Sequence, residues 1–318
     1  MIKTDPQLTF GMMEDAELPQ AYPDLDKINA IIDWQPIEKE ATALYARDFG
    51  RPAIPPLVMI KIVFLQHFYD LNDVQVSRDI HDRRSFERFL GPDVRRYVID
   101  DSSVARFRAR LIQANMDERL MKMIHAQIVA HGFFLRNAKN VTVIDASLRK
   151  AATSAYSRKK DGTPVDPDVH VTSRKDRLID GMKMHVCGDA STELIEDVRL
   201  TTIETSDHEV FEELIPADAH VVTADKAYGS AKHRAWLAER KIDDRLMYKG
   251  ARNHPLTQEQ KECNRRVSPV RSIIERIIAN VKNRCSLKRL RYIGLRKNLF
   301  QVRLSCCAYN IKRLVVLC

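Results

Sequence analysis

Three isolated carboxylates are spaced so that ordered segments of the chain could present them together. Asp145 ends a β-branched run at 141–144, and Asp225 ends a mostly apolar run at 219–224. Glu275 lies in a later helical segment. If the two strands are neighbours in one sheet, the aspartates emerge side by side, and a helix packed on that sheet can bring Glu275 onto them. The pattern predicts one acidic site built from three distant parts of the chain.

Such an acidic site would suit a divalent cation. Carboxylates at close range repel and raise one another's pKa, so the cluster is costly unless a cation neutralises it. Magnesium takes carboxylate oxygens and usually keeps waters and substrate phosphate oxygens as its other ligands. Two such ions, about 3.5 to 4 Å apart, can activate a water or a 3′-hydroxyl for in-line phosphoryl displacement. The predicted chemistry is metal-assisted cleavage and transfer of a nucleic-acid strand.

Each acid also has an ordinary structural interpretation. An aspartate at the end of a strand is usually a turn or cap residue. Arg271 and Glu275 have the i, i+4 spacing of a salt bridge on an exposed helix face. The prediction therefore rests on the combination of the three acids and not on any single one.

The helix that must carry Glu275 is predicted at 268–284, with Pro269 as its first residue. Apolar side chains recur there at helical spacing and form one stripe that must be covered. The stripe consists of Ile274, Ile277, Ile278 and Val281. Arg271, Glu275 and Lys282 fall within about 40° of one another at its edge. One acid therefore lies between two bases on a single line.

Two lysines lie near the predicted acids and could contact phosphates. Lys282 is two helical turns from Glu275, about 10 Å along the axis. Lys226 directly follows Asp225. Lysine side chains at these positions suit contacts with the DNA backbone just beyond the metals.

The segments around the acids alternate between strand and helix patterns. Strands are predicted at 141–147, 181–189, 194–200, 219–224 and 242–248, and helices at 206–214 and 230–240. Three successive strands followed by alternating helices and strands predict an α/β fold, with a mixed five-stranded sheet flanked by helices. The segment 149–180 is predicted to be a long, basic and polar loop, which in a compact domain is often functional.

The first 140 residues carry only helical patterns, so we predict a helical N-terminal domain at 1–140 and a catalytic domain at 141–318. Within the first, a helix at 102–113 places Arg106, Arg108 and Arg110 on alternate positions behind a cap at Asp101 or Ser102. Such a helix could enter a DNA groove as a recognition helix. It could equally be a core helix with a solvated basic face, because the domain as a whole is not basic.

The distribution of charge limits the kinds of partner. The 318-residue chain has a formal net charge of +9. Residues 249–318 hold 17 Lys and Arg against 3 Asp and Glu, so the positive excess lies in this C-terminal part. A folded surface this basic favours nucleic acid as its partner over an anionic membrane or a plain solvated face.

Other features of the composition favour a soluble protein of a reducing compartment. No apolar run approaches the roughly 18 residues that a membrane span needs, and residues 1–10 lack the hydrophobic stretch of a signal peptide. The six cysteines form no CxxC pair and show no regular spacing. This pattern argues against a zinc ribbon or a disulfide framework. We therefore expect a cytoplasmic protein without membrane partners.

These motifs resemble the DDE transposases of bacterial insertion sequences. The matching stretches read VIDAS at 143–147, GMKMH at 181–185 and TADKAYGS at 223–230. Arg271, Glu275 and Lys282, with three and six residues between them, match the signature around the family's last acid. Ser268 stands where this group often has a tyrosine. The run from Gly50 through 86–90 and the stretch 100–110 resemble the family's helical N-terminal domain, so the resemblance covers roughly residues 25–310.

The resemblance implies an RNase H-like catalytic domain that cleaves and joins DNA without a covalent protein intermediate. It implies that Asp145, Asp225 and Glu275 bind two magnesium ions, for which manganese could substitute, and that Arg271 and Lys282 contact DNA at the element's ends. The expected partners are double-stranded DNA, at the element's inverted ends and at the target, and further copies of the chain, because two ends must be brought together. A bacterial transposase of this kind would be associated with the nucleoid.

Two other functions remain open on the sequence alone. An RNase H-like nuclease would use the same metals without a strand-transfer step. A DNA-binding repressor derived from a transposase would need no catalysis, although all three acids are intact in this chain.

Overall fold

A computed structural model describes residues 23–45, 53–134, 140–174, 177–251 and 254–318. Within these residues the N-terminal region is helical, as predicted. Its helices are α1 (Pro23–Ile31), α2 (Gln35–Thr42), α3 (Pro56–Tyr69), α4 (Asp73–Asp82), α5 (Arg84–Leu90), α6 (Asp101–Gln113) and α7 (Met116–Ala130). A 3₁₀ turn at Pro92–Arg96 connects α5 to α6. The first residues of the run that resembles the family's N-terminal domain, Gly50–Pro52, lie outside the described part of the chain.

The helical region is organised around α3, which is apolar on all sides and buried along most of its length. Trp34 packs edge to face against Phe64 of α3 and against Phe89, with ring centroids 5.8 Å apart in both pairs. Helix α6 is capped by Asp100, one residue before the predicted Asp101 or Ser102. The reason is geometric, because the Asp100 carboxylate accepts the Ser103 N–H at 2.6 Å.

The described residues of the α/β region form a mixed sheet of six strands. They are β1 (Val141–Lys150), β2 (His170–Arg174), β3 (Arg177–Asp189), β4 (Ile195–Thr202), β5 (Val221–Ala224) and β6 (Asp243–Leu246). The antiparallel pairs are β1 with β3, β2 with β3, and β3 with β4, while β1 pairs in parallel with β5, and β5 with β6. The predicted mixed sheet is confirmed, with one strand more than expected. The extra strand is β2, which pairs with the first half of β3 inside the segment predicted to be a loop.

Helices cover both faces of the sheet. On one face, α8 (Asp207–Leu214) and α9 (Ala231–Glu239) pack over Ile144 and Val222. On the other face, α10 (Gln258–Arg284) and α11 (Leu295–Leu317) pack over Val143 and Met184. Because neighbouring side chains on a strand point to opposite faces, Asp145 lies on the same face as Val143, under α10.

Helix α10 buries the predicted apolar stripe but begins earlier than predicted. Ile274, Ile277 and Val281 are buried against the sheet. The helix starts behind Thr257, whose hydroxyl accepts the Gln260 N–H while the Gln260 side chain accepts the Thr257 N–H. Pro269 is therefore an interior residue and not the first one. It is tolerated on the exposed side of a helix that this capping box and the buried stripe hold in place.

Helix α11 contributes side chains to two of the hydrophobic cores. Phe300, Leu304 and Ile311 pack into the core of the N-terminal helices, whereas Val302 and Cys306 pack into the core between the sheet and α10. A separate domain ending at residue 140, as the sequence suggests, would leave this part of its core uncovered. The boundary at 140 stays a prediction.

Part of the basic C-terminal region serves folding and does not face solvent as free charge. Asp117 of α7 is fully buried. Its carboxylate accepts hydrogen bonds from the guanidinium groups of Arg296, at 2.5 Å, and Arg303, at 3.0 Å. Arg291 is ion-paired with Asp70. These pairs join the two halves of the chain, so the predicted polyanion-binding surface is smaller than the count of residues suggests. None of the described helices combines the length and hydrophobicity needed to cross a bilayer.

Candidate active site

The first two predicted acids lie side by side at the end of a parallel strand pair. Ile144 of β1 is in register with Ala224 of β5. Asp145 and Asp225 are the next residues on these strands, and neighbouring strands lie about 4.8 Å apart. The expectation that these two strands are neighbours is confirmed. Their pairing places both aspartates at the C-terminal end of β5.

A tight turn fixes the position of Asp225. Its carboxylate accepts the Lys226 N–H at 2.6 Å, and its carbonyl oxygen accepts the Tyr228 N–H at 2.9 Å. The Tyr228 carbonyl lies 2.8 Å from Nδ1 of His233, whose Nε2 lies 3.2 Å from the His208 carbonyl. The turn is therefore tied to α8 and α9 through one buried imidazole.

The sequence did not single out Tyr228 and His233 as site residues. His233 also stacks on Phe211 of α8, with ring centroids 4.1 Å apart. The signal that could have identified these residues is the close spacing of Tyr228 and His233 behind Asp225 in ADKAYGSAKH. The ring nitrogens of His233 face backbone carbonyls, and the rings of both residues pack on Phe211, so the two residues hold the turn that carries Asp225.

Glu275 reaches the aspartates through an arginine. Arg271 and Glu275, one turn apart on α10, form an ion pair. The same guanidinium extends to Asp225, with 3.8 Å between Nη1 and Oδ2. Arg271 and Glu275 thus form the predicted helical salt bridge. In addition, Arg271 pairs with Asp225 at the end of β5. Arg271 connects the helical acid to the strand acid.

Burial and neighbouring charges raise the pKa of Asp145. Loss of solvation has the largest effect, and the negative charges of Asp225 and Glu275 add to it. The Ala146 N–H, 2.8 Å from the carboxylate, and Arg271 act in the opposite direction. The net result is a pKa of about 6, against an ordinary value of 3.8. A cation bound nearby would stabilise the ionised form of this carboxyl group and lower its pKa.

The three acids do not converge as closely as predicted. Among the residues that the structure describes, no group of three or more His, Cys, Asp or Glu side chains is arranged to hold a metal ion. The physical reason is Arg271, which pairs with both Asp225 and Glu275 and supplies the positive charge. The donor set itself fits a hard divalent cation, because it consists of carboxylates and one of them has a raised pKa.

The two lysines predicted to contact phosphate are accessible. Lys226 and Lys282 are both exposed. Neither forms an ion pair with any carboxylate in the described residues. Both side chains are therefore free to reach a DNA backbone beside the acids.

The predicted recognition helix is only partly available. Arg108 is 9% exposed, and its guanidinium forms two hydrogen bonds of 2.6 Å with Asp73 of α4. That bidentate pair joins α6 to α4, so Arg108 has a structural role here, and its contact with DNA stays a prediction. Arg106 and Arg110 are exposed, although Arg110 stacks on the Tyr45 ring at 4.3 Å. For these two the prediction stays open.

The GMKMH stretch lies on β3, the direct neighbour of β1, with His185 paired to Ala146, one residue beyond Asp145. Lys183 donates to the Thr205 carbonyl at 2.7 Å and pairs with Asp207 at 3.1 Å. His185 lies 3.0 Å from the Thr201 hydroxyl, and burial lowers its pKa to about 4, so it is neutral. This stretch ties β3 to the start of α8.

The strand order and the placement of the acids define an RNase H-like fold. An antiparallel set, β1 with β3 and β4, continues into the parallel pair β5 and β6, and α10 brings the third acid across the sheet. The chain belongs to the DDE transposases, since the family model described as Transposase DDE domain matches residues 136–311. A second model, Transposase domain (DUF772), matches residues 14–110. Members of the DDE family generally use divalent metal ions.

Among solved structures, the chain is similar to the piggyBac transposase in its synaptic complex with hairpin DNA. The identity is 11% and the TM-score 0.46, and the match covers 92% of this chain and 72% of that one.

Proposed function

We propose that this protein binds the terminal inverted repeats of a bacterial insertion sequence and catalyses metal-dependent cleavage and transfer of its DNA strands. Family membership gives the class of protein. The observation that carries the chemistry is the register of β1 and β5, which sets Asp145 beside Asp225, with Glu275 joined to Asp225 through Arg271.

In this proposal Asp145, Asp225 and Glu275 hold two magnesium ions, or manganese in their place. Bound there, the ions would supply activation of the attacking hydroxyl and stabilisation of the leaving oxygen. The turn held by His233 keeps Asp225 in place beside β1. Arg271 gives up its carboxylate partners and, with Lys226 and Lys282, contacts the phosphates that flank the cut.

The function also sets the partners. Joining an element to a new site needs two ends and a target in one complex, so we propose that the protein acts on double-stranded DNA as a homo-oligomer. The exposed basic side chains of α10 that have no carboxylate partner in the described part of the chain, among them Lys282 and Arg284, provide the charge for this contact.

The test is a strand-transfer reaction with a labelled duplex that carries the DNA bordering the coding region, together with a circular target. The expected result is a cut at one defined boundary followed by joining to the target, dependent on magnesium or manganese and lost in Asp225→Asn. Cutting without joining would favour a nuclease. Binding without any metal-dependent product would favour a repressor.

A further inference from the structure

The segment between β1 and β2 contains a short hairpin turn, closed by one antiparallel bridge between Arg158 and Pro164. We call residues 157–165 the basic hairpin. The Val165 N–H donates to the Ser157 carbonyl at 3.0 Å, and the Lys159 N–H to the Thr163 carbonyl at 2.8 Å. Gly162 adopts a φ of +83° at the tip, a conformation that suits glycine. The fold thus holds one exposed turn in a defined shape.

Carboxylates fasten both ends of this hairpin to the catalytic half of the chain. Before it, Asp180 of β3 accepts the Ala155 N–H at 3.1 Å. After it, Asp166 accepts the Gly294 N–H at 2.9 Å, and Asp168 accepts the Leu295 N–H at 2.7 Å. The last two contacts cap the start of α11. A segment anchored in this way presents its tip at a fixed position.

The basic hairpin displays cations that have no carboxylate partner among the described residues. Arg158, Lys159 and Lys160 are exposed, and Arg158 donates only to backbone carbonyls of its own segment. The one acid of the tip, Asp161, is occupied by the Thr163 N–H and hydroxyl. Several exposed arginines of the N-terminal region, by contrast, are paired with acids.

An aromatic side chain accompanies these charges. Tyr156, directly before the hairpin, is 68% exposed. A tyrosine ring left in water contributes little to folding. Exposed basic and aromatic side chains on one segment suit a contact with a nucleic-acid backbone, because the cations can meet phosphates and the ring can pack on a sugar.

The hairpin lies on the side of the sheet toward which β1 continues beyond the acids. Strand β1 runs five residues past Asp145 to Lys150, which is about 16 Å. There the Lys150 carbonyl accepts the Leu290 N–H at 2.9 Å, and Arg289 donates to Ala151 at 2.9 Å. The segment after α10 therefore lies against the base of the hairpin. Exposed cations lie at the end of α10 and on the segment that follows it, namely Lys282, Arg284 and Lys288.

From this arrangement we infer that the basic hairpin, together with Tyr156, is a second DNA-binding surface that holds the phosphate backbone of a duplex extending from the carboxylate site. The inference rests on the proposed function, because it assumes DNA at Asp145. The duplex could be the flank of the element's end or the target. The chemistry of the contact is the same for both.

The test measures equilibrium binding as a function of salt, with two probes: a duplex carrying the DNA that borders the coding region, and an unrelated duplex of equal length. The variant replaces Arg158, Lys159 and Lys160 with alanine. Its matched control removes the same charge from ion-paired surface residues, Arg119→Ala, Lys122→Ala and Arg240→Ala. Tyr156→Ala is compared with Tyr156→Phe.

If the inference is correct, the hairpin variant loses about tenfold or more in affinity, and its slope of log K against log salt becomes shallower by about 2 to 3, while the control changes little. Tyr156→Ala weakens binding less than the hairpin variant, because the ring can pack only on the sugars of a paired duplex, and Tyr156→Phe restores binding. A loss of affinity for the bordering duplex alone would mean that the hairpin contacts the flank of the element's end. A loss of affinity for both duplexes would mean that it contacts target or other non-specific DNA. Equal behaviour of hairpin variant and control on both probes overturns the inference.

Cleavage separates this result from the proposed function. A hairpin variant that binds normally and still cuts would overturn only the hairpin inference. A wild-type chain that binds in a hairpin-dependent manner but never cuts would contradict the proposed function and leave the hairpin surface intact.

Discussion

Asp145 and Asp225 occupy equivalent positions on two parallel strands, each one residue beyond the paired residues Ile144 and Ala224. The pairing brings together two carboxylates that are far apart in the sequence. Their repulsion is one reason that the pKa of Asp145 is raised, and Arg271 partly compensates it. Without a divalent cation, the carboxylates of this site therefore repel one another.

The raised pKa predicts that Asp145→Asn is more stable than the wild-type chain at neutral pH in EDTA. A carboxyl group whose pKa rises from 3.8 to about 6 on folding stabilises the fold while protonated, and this stability is lost as the pH rises through 6. The asparagine stays neutral and can still accept the Ala146 N–H. Chemical denaturation at pH 7.5 should show a gain of about 2 to 3 kcal/mol.

The pH dependence and magnesium provide the controls for that prediction. The advantage of Asp145→Asn should shrink by about 2 kcal/mol between pH 7.5 and pH 4.5, because the wild-type carboxyl group is then protonated in the folded protein. At pH 7.5, magnesium should reduce the difference in free energy of unfolding between the two chains, because it binds and stabilises only the wild type. An asparagine variant of unchanged stability at every pH would contradict the electrostatic account.

Lys282→Ala should weaken DNA binding without changing metal affinity. The side chain is exposed on α10 beyond Glu275 and lacks a carboxylate partner in the described residues. Loss of one phosphate contact should make the slope of log K against log salt shallower by about 0.9. Lys122→Ala, which removes a lysine paired with Glu118 on α7, serves as the control. Identical salt titrations of the two variants would remove Lys282 from the DNA contact.

Arg108→Ala should reduce stability, whereas Arg106→Ala should not. Removing Arg108 leaves Asp73 partly buried without its bidentate partner, at a cost of about 2 to 4 kcal/mol. Arg106 is exposed, and its removal should cost less than about 0.5 kcal/mol. Urea denaturation measures both. If Arg108→Ala unfolded at the same urea concentration as the wild type, the ion pair would not hold α6 to α4.

The sequence predicts the elements of this protein better than the contacts of its charged groups. The strands around Asp145 and Asp225 and the buried stripe of α10 follow from periodicity, which depends on local spacing. The predicted start of α10 is wrong because Pro269 is a strong local signal, while the capping box at Thr257 lies twelve residues earlier. Strand β2 is not predicted because its own five residues, HVTSR, are mostly polar and lack a clear strand pattern.

Partners of charged side chains depend on residues far away in the sequence. Nothing near Arg108 indicates that Asp73 will bind it, and nothing near Arg296 indicates the buried Asp117. A count of basic residues therefore overestimates the surface available to DNA. Arg271 illustrates the same limit, since the helical spacing gives its pair with Glu275 but not its reach to Asp225.

The most direct test of the carboxylate site is DNA cleavage by Glu275→Gln, with Glu259→Gln as a control at an exposed acid of the same helix. The substrate is a labelled duplex from the DNA bordering the coding region, with magnesium or manganese present. Wild type and Glu259→Gln should cut at one boundary, while Glu275→Gln should bind equally well and cut about 10³-fold more slowly or not at all. Cutting by Glu275→Gln at the wild-type rate would contradict the account and leave Glu275 as half of a helix salt bridge.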